Sequence, residues 1–301
     1  MSPHPPPPAR KRVRVGLIDL VLLALVAFAV AYAAYRINDV LVYRWSWDRV
    51  LAFVIRYDEA TGRFVPNLLL QGVATTLRLA FWGTVFASII GVIMGLARTS
   101  RNLAFRLVSR AYVELIRNIP PIVFIFIFYF FISTQLFPVL GVDSIPVRSA
   151  WVDNPLFSLL AGDPRLFSNF LAGVVCLALF EGAYITEIVR AGVQSIENGQ
   201  WEAARAIGLS RFNVLRDIVL PQAIRRILPP LAGQFITLIK DSAMVSLISI
   251  QELTFLATEV AATTTRVFET WIVVGALYFI ICYSFAVVFA HLEARARRAN
   301  R

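Results

Sequence analysis

The chain has 301 residues, of which 58% are hydrophobic and only 16% are charged, and its net charge is +10. A water-soluble domain carries about 45–50% apolar and about 25% charged residues, so this composition excludes an ordinary soluble globule and predicts burial in lipid. The basic residues are scattered between apolar runs, which argues against nucleic-acid binding. Cys176 and Cys282 lie inside apolar runs and are predicted to be small buried residues, not disulfide partners or metal ligands.

The first predicted element follows a basic tail, residues 1–16, whose proline-rich part at positions 3–8 predicts disorder. An apolar run at residues 17–35 is either a retained membrane span or a signal peptide with Ala31-Tyr32-Ala33 as its cleavage site. Its 19 residues exceed the usual signal-peptide core of about 7–15, which favours retention. Retention predicts six spans, whereas cleavage leaves five spans and an outside amino terminus.

Five further apolar runs approach the roughly 20 residues that a membrane-crossing helix needs, at residues 73–97, 119–137, 170–189, 224–239 and 271–290. The segments that this map places on one side hold 18 of the 29 Lys and Arg. By the positive-inside rule that side, which includes both termini if the first span is retained, is the cytoplasm. The sequence therefore predicts an all-α polytopic membrane protein with about six transmembrane helices.

Small residues recur every four positions in the second span, at Gly83, Ala87, Gly91 and Gly95. They share one helix face, and small residues there allow a neighbouring backbone to approach closely. We expect this face to pack against another helix of the same chain; a contact between subunits is the alternative.

Several charged residues and prolines lie in or near the spans. Arg78 is expected to be paired or to face a cavity, because a charge in the bilayer is costly. Glu114 is expected to pair with Arg117 one turn away. Pro120 and Pro121 are predicted to kink the third span.

The basic loop at residues 190–222 has the pattern of two short helices. Gly199 is predicted to end the preceding helix, and residues 200–207 then form a helix with Trp201, Ala204 and Ile207 on one side. Gly208 is predicted to stop that helix.

The second short helix of this loop is predicted to begin at Ser210, which can cap it, and to end at Leu220-Pro221. Its apolar stripe consists of Phe212, Leu215 and either Ile218 or Val219. The loop is thus predicted to be a compact helix, glycine turn and helix.

The string Glu202-Ala203-Ala204, then Gly208-Leu209, then Leu220-Pro221 resembles the cytoplasmic loop of permeases of ATP-binding-cassette importers. The resemblance spans about residues 72–253 and is nearest to the permeases for polar amino acids. It includes Gly72-Val73-Ala74-Thr75-Thr76-Leu77, Glu114, Arg117, Pro120, Ala183-Tyr184, Glu187, Arg190-Ala191-Gly192, Gly199-Gln200 and Lys240-Asp241-Ser242. Asn118-Ile119 and Ala243-Met244 depart from the residues common in that family.

The resemblance implies a five-helix type I importer core, residues 66–290, with residues 17–65 as an extra amino-terminal helix and periplasmic segment, and residues 291–301 as a basic cytoplasmic tail. It implies that the loop, through Glu202, Ala203, Ala204, Gly208, Leu209, Leu220 and Pro221, docks into a separate ATPase. The other implied partners are a second permease subunit, identical or related, a periplasmic solute-binding protein and the polar amino acid. The implied location is a bacterial inner membrane.

Candidate residues for a substrate pathway or gate lie in the fourth span and after the fifth: Glu181, Tyr184, Lys240, Asp241 and Ser242. An amino acid presents a carboxylate and an ammonium, so a cavity lined by both charge signs would suit it. Local pairing of Lys240 with Asp241, or pairing with another helix, is the alternative.

The chain has two lysines, Lys11 and Lys240, and neither follows the glycine-rich turn of a Walker A loop. We therefore predict no cofactor, with ATP bound by the partner subunit. His4 and His291 lie near the two ends, so no histidine metal cluster and no catalytic residues are predicted. The alternative function is a secondary transporter driven by an ion gradient, which would require paired halves with broken helices.

Overall fold

The structure is a computed structural model that describes residues 16–40, 43–60, 62–145 and 155–298. The chain divides into an amino-terminal unit, Met1–Ser46, and a main unit, Trp47–Arg301. In the amino-terminal unit, helix α1 (Leu17–Val40) contains the apolar run Leu17–Ala33, whose side chains are exposed. This run is shorter than the five candidate membrane-spanning segments of the main unit. The first span, predicted at residues 17–35, therefore stays a prediction.

The main unit is built almost entirely of helices. Its helices in chain order are α2 (Trp47–Leu51), α3 (Leu68–Thr99), α4 (Leu103–Asn118), α5 (Pro121–Ile127), α6 (Thr134–Val139), α7 (Pro155–Ala161), α8 (Phe167–Gln194), α9 (Asn198–Ala206), α10 (Arg211–Asn213), α11 (Leu220–Asp241), α12 (Leu253–Thr264) and α13 (Val267–Arg298). A π-helical turn joins α5 to α6, another joins α10 to α11, and 3₁₀ turns precede α8 and follow α11.

Five helical segments of the described chain are long and apolar enough to cross a bilayer: Leu68–Thr99, Pro121–Val139, Pro164–Gln194, Arg211–Ile248 and Val267–Arg295. Each overlaps one of the five later apolar runs, so the all-α polytopic class is confirmed. Before the first of them, strands β1 (Ile55–Asp58) and β2 (Arg63–Pro66) form a small antiparallel hairpin in which Ile55 faces Pro66.

The two adjacent prolines do not kink the third span, so that prediction is wrong. Helix α4 ends at Asn118, Ile119 and Pro120 are extended, and α5 begins at Pro121. The physical reason is that a residue before proline avoids the helical region, whereas proline itself fits the first turn of a new helix. The chain therefore breaks here and restarts.

The small-residue face of α3 packs against α8 within the chain, as predicted. A Cβ added at Gly91 would lie 2.4 Å from Ile185 Cγ2, and one added at Gly95 would lie 2.6 Å from Val189 Cγ1. Ala87 is fully buried in the same contact region. The close approach of α3 and α8 thus requires glycine at these positions.

Helix α3 also binds α7, the short helix that precedes α8. The Arg78 Nε–H donates to the Leu159 carbonyl at 2.8 Å, and the Trp82 Nε1–H donates to the Leu160 carbonyl at 3.0 Å. Both acceptors belong to the last turn of α7, whose carbonyls have no partner within the helix. Arg78 also lines a cavity, as its position in the sequence predicted.

A buried carboxylate joins three helices after the fifth span. Glu252 is fully buried; its Oε1 accepts the Phe255 N–H at 2.8 Å, which caps α12. Its Oε2 accepts the Tyr278 hydroxyl of α13 at 2.8 Å and the Thr76 hydroxyl of α3 at 3.3 Å. Burial raises the pKa of the Glu252 carboxyl, while these hydrogen bonds act in the opposite direction.

We expect Glu252→Ala to destabilise the main unit, because it removes a helix cap and leaves buried donors without an acceptor. The expected cost is about 2–4 kcal/mol, from about 1 kcal/mol for a cap and about 1–3 kcal/mol for the unsatisfied groups. The thermal unfolding midpoint of the detergent-purified protein should fall by about 5–10 °C. Glu259→Ala, an exposed position on the same helix, serves as the control and should leave the midpoint nearly unchanged. Equal midpoints for the two variants would contradict the structural role of Glu252.

Candidate functional site

The predicted loop contains a helix that ends in a complete glycine cap. Helix α9 is followed by Gly208, whose φ of +82° lies in the left-handed region. The Leu209 N–H donates to the Ala204 carbonyl at 3.2 Å, and the Gly208 N–H donates to the Arg205 carbonyl at 2.9 Å. This bond pair is a Schellman motif, and Leu209 packs in the same cluster as Ala204. The predicted stop at Gly208 is confirmed.

The start of α9 differs from the prediction. Helix α8 ends at Gln194, and Gly199 lies in the first turn of α9 instead of ending the helix before it. The predicted role of Gly199 is therefore wrong. Nothing lies within 4 Å of a Cβ added at Gly199, so its lack of a side chain is not needed for packing.

The second part of the loop begins as predicted but does not end as predicted. The Ser210 hydroxyl oxygen accepts the Asn213 N–H at 3.3 Å and caps α10. The chain continues through the π-helical turn Val214–Val219 into α11, so Leu220-Pro221 does not end the helix. Proline is tolerated because Pro221 lies in the first turn of α11, where no amide donor is required.

The loop is fastened to the spans on its inner side. Ala204, Val214 and Val219 are buried in one cluster with side chains of α8 and α11. Gln222 donates to the Ile218 carbonyl at 2.9 Å, and Arg226 donates to the Ser195 carbonyl. The inner side of the loop is therefore packed on both α8 and α11.

The outer side of the loop exposes apolar side chains. Ile207 is 76% exposed and Phe212 is 68% exposed, on either side of Gly208. Of the two predicted apolar stripes, Ala204 is buried, whereas Ile207 and Phe212 lie at the surface. Glu202 and Ala203 are also exposed. Exposed apolar side chains that border an ordered turn indicate a surface for a protein partner.

A second group of predicted site residues lies at the contact between α8 and α11. Glu181 is fully buried, and its Oε2 accepts a hydrogen bond from the Gln234 side chain. The Asp241 carboxyl lies beside Glu181. No donor among the described residues reaches Glu181 Oε1. The structure thus brings Glu181 and Asp241 together, and it adds Gln234, which the sequence analysis missed.

The remaining candidates of this group have separate surroundings. Lys240 is exposed and forms no ion pair with a described residue. The buried Ser242 hydroxyl donates to the Ile239 carbonyl at 2.8 Å, within its own helix. Lys240 and Asp241 therefore point to different neighbours.

Tyr184 contacts Arg117, which was predicted to pair with Glu114. The Arg117 guanidinium lies 5.1 Å from the centre of the Tyr184 ring. Glu114 instead pairs with Arg110 at 2.7 Å. The predicted Glu114–Arg117 pair is wrong, because Arg110 at i−4 satisfies the same carboxylate while Arg117 reaches across to α8.

Glu187 on α8 is another charged residue of the matched motifs, and it binds two cations. Its carboxylate lies 3.2 Å from Arg98 Nε of α3 and 2.7 Å from Arg190 Nη2. This network joins α3 to α8 immediately before the loop. Among the described residues, no group of three or more His, Cys, Asp or Glu could hold a metal ion.

Five apolar spans, with a capped helical loop that exposes apolar side chains and a buried polar cluster between two spans, indicate a helical membrane-transport subunit. The sequence profile of the family described as "Binding-protein-dependent transport system inner membrane component" matches residues 87–298. The chain belongs to this family and is the multi-pass inner-membrane permease subunit of an amino-acid importer of the ATP-binding-cassette class.

Relatives of known description agree with this assignment. The chain is 34% identical over 230 residues to the glutamine transport system permease protein GlnP of Escherichia coli (strain K12), covering 76% of this chain and 93% of that protein. It is 32% identical to the probable amino-acid ABC transporter permease protein YckA of Bacillus subtilis (strain 168), covering 74% and 86%.

Solved structures give the same fold. The chain resembles a crystal structure of an amino acid ABC transporter with histidines, at 32% identity and a TM-score of 0.59, covering 76% of this chain and 94% of that one. An inward-facing structure of the MetNI methionine ABC transporter shares the fold at 20% identity and a TM-score of 0.53, covering 75% and 93%.

Proposed function

We propose that this permease imports polar L-amino acids, driven by separate ATPase subunits that bind the loop at residues 190–222. The observation that carries the proposal is the glycine-capped turn at Gly208, which exposes Ile207 and Phe212 while its inner side is fastened to α8 and α11. The glutamine permease among the relatives supports a polar amino acid as the substrate.

Each motif residue of the loop has a role in this proposal. Ala204 and Leu209 make the cap that holds Gly208 in place, while exposed Glu202 and Ala203 face the ATPase. Leu220 and Pro221 begin α11, so they carry a displacement of the loop into the fifth span. Binding and hydrolysis of ATP take place in the partner, and this chain contributes no cofactor site.

The substrate pathway is proposed to pass Glu181 and Asp241. A carboxylate oxygen buried in the bilayer without a donor is costly, and such groups mark transport pathways. The substrate ammonium is the donor that would satisfy Glu181 Oε1, and the exposed Lys240 supplies a cation for the substrate carboxylate farther along the helix. Tyr184, one turn after Glu181, and Ser242, next to Asp241, are proposed as positioning residues of this pathway.

The assembly is proposed to contain two permease chains, ATPase subunits and a periplasmic solute-binding protein. An apolar cleft of about 890 Å³ between α11 and α13 supports a second permease chain, since it leaves Leu228, Pro229 and Gly233 at its surface. Both termini are proposed to be cytoplasmic, with α1 retained as an extra span before the core at residues 66–290.

The partner assignment is tested by copurification of an affinity-tagged permease with ATPase subunits expressed in the same cells. We expect both to elute at a fixed ratio, and a Glu202→Lys variant to lose ATPase, because it reverses a charge on the docking surface. The matched control is Glu259→Lys, an exposed residue of α12 outside the loop. Equal ATPase recovery with Glu202→Lys and with the unaltered permease would contradict the role of Glu202.

We expect exchange of the charges at positions 240 and 241 not to restore transport. Lys240→Asp and Asp241→Lys should each abolish most uptake, and the double variant should remain equally inactive, because Lys240 is exposed while Asp241 contacts Glu181. Uptake is measured in cells with permease levels matched by immunoblot. Substantial recovery in the double variant would show that the two residues form a local ion pair.

A further inference from the structure

The loop at residues 190–222 is called the coupling loop from here on. A basic cleft lies between this loop and the connected ends of α3 and α4. Its volume is about 1100 Å³. Five arginines line it, against the single carboxylate of Glu202: Arg98, Arg101, Arg106, Arg205 and Arg211. We call this space the arginine cleft.

The charges of the arginine cleft are largely uncompensated. Arg98 pairs with Glu187 at 3.2 Å, yet its Nη1 has no hydrogen-bond partner in the described chain. None of the other four arginines forms an ion pair with any residue that the structure describes. The positive-inside rule accounts for arginine on this side of the membrane, but it does not require arginines from four helices to converge on one concavity.

The arginine cleft also has an apolar wall that leads towards the bilayer. Ile93 and Phe105 line the cleft and are 59% and 58% exposed. Ile93 continues a stripe of exposed apolar side chains along α3 that includes Phe86 and Ile89. Residues three to four apart lie on one helix face, so this stripe forms a continuous apolar track from the span to the cleft.

We propose that the arginine cleft binds the phosphate-bearing headgroup of an anionic phospholipid from the cytoplasmic leaflet, with its acyl chains on the α3 stripe. Guanidinium groups bind phosphate oxygens through paired hydrogen bonds, and basic pockets between spans on the cytoplasmic side suit such headgroups. The apolar track distinguishes a lipid from an acidic segment of the ATPase. Of the residues assigned to the ATPase, Glu202 also lines the cleft, whereas the exposed apolar residues Ile207 and Phe212 do not.

Lipid binding at this position would regulate coupling. Arg205 and Arg211 belong to α9 and α10, so a headgroup held between them and Arg101 would link the coupling loop to the end of α3. The inference rests on the proposed cytoplasmic orientation of the loop, but not on the identity of the transported amino acid.

The test uses the purified complex of permease and ATPase. Lipid retention is measured by native mass spectrometry after exposure to phosphatidylcholine vesicles with or without phosphatidylglycerol, and ATPase activity is measured in the same vesicles. We expect the unaltered complex to retain phosphatidylglycerol selectively and to be stimulated by it. The double variant Arg101→Gln with Arg106→Gln should retain it about 5- to 30-fold less, since two headgroup contacts are lost.

Two further variants separate charge from fold. Arg101→Lys with Arg106→Lys should keep most of the selectivity, because the positive charges remain. Arg295→Gln, an exposed residue at the end of α13 outside the cleft, should match the unaltered complex. Absence of phosphatidylglycerol selectivity in the unaltered complex would overturn the proposal whether or not the glutamine variant folds.

Three further outcomes separate a lipid site from a free-anion site, from an ATPase contact and from the choice of substrate. Displacement of phosphatidylglycerol by inorganic phosphate at equal concentration would overturn the lipid assignment in favour of a free anion. Loss of the ATPase from the glutamine variant in lipid-free detergent would identify the cleft as part of the ATPase contact. Failure of amino-acid transport with intact lipid selectivity would instead contradict only the proposed substrate.

Discussion

Replacing Gly208 with valine is expected to reduce ATP-driven amino-acid uptake about 5- to 30-fold while the permease remains in the membrane. The φ of Gly208 is +82°, where a residue with a Cβ is strained by about 1–2 kcal/mol and a β-branched residue is a marked outlier. One or two kcal/mol changes an equilibrium about 5- to 30-fold, which sets the expected loss of the docking-competent loop. No atom lies within 4 Å of a Cβ added there, so the effect arises from backbone strain and not from a clash within the chain.

The matched control for this prediction is Gly199→Val in the same loop. Gly199 also has an open surrounding, but it lies in the first turn of α9 without a positive φ. Its uptake should therefore stay close to that of the unaltered protein, and Gly208→Ala should fall between the two. Uptake is compared at equal membrane levels. Equal activity of Gly208→Val and Gly199→Val would contradict the need for the left-handed turn.

Glu181→Gln is expected to reduce uptake about ten- to hundred-fold without unfolding the protein. Glutamine has the same shape and can still accept the hydrogen bond from Gln234. The variant lacks the charge that is proposed to receive the substrate ammonium. A hydrogen bond to a charged group contributes about 1.5–3 kcal/mol, and each 1.4 kcal/mol corresponds to a factor of about ten.

A structural role for Glu181 would give a different pattern from a transport role. If the carboxylate only held α8 against α11, Glu181→Gln would lower the thermal midpoint and Glu181→Asp would not restore uptake. We expect an unchanged midpoint, together with partial uptake in Glu181→Asp because the charge remains. Full activity of Glu181→Gln would remove this residue from the proposed pathway.

Much of the fold could be predicted from local sequence patterns. Apolar length located the five spans because a bilayer fixes the length of a crossing helix. The four-residue spacing from Gly83 to Gly95 located the α3 face that packs on α8. Gly208 was recognisable because glycine is favoured where a helix ends in a left-handed turn.

The errors concern partners and helix ends that local patterns do not determine. Glu114 had arginines at both i−4 and i+3, and only the position of Tyr184 on another helix explains why Arg117 is occupied elsewhere. Pro221 looked like a stop, although a proline in the first turn of a following helix is equally permitted.

Two features were missed in the sequence, and only one of them had a local signal. Gln234 lies seven residues before Asp241, so their shared helix face was a signal that could have been read. The clamp around Glu252 could not be found in this way, because Thr76 and Tyr278 come from distant parts of the chain. Burial and pairing across spans depend on the packed fold.

The central claim is that this permease moves amino acids only when a separate ATPase drives its coupling loop. It is tested most directly by uptake of a mixture of radiolabelled polar L-amino acids into proteoliposomes that contain the permease, its ATPase and its solute-binding protein. We predict uptake that requires all three proteins and ATP, that persists when ion gradients are collapsed, and that fails with Gly208→Val. Uptake by the permease alone, driven by an imposed ion gradient, would contradict the claim.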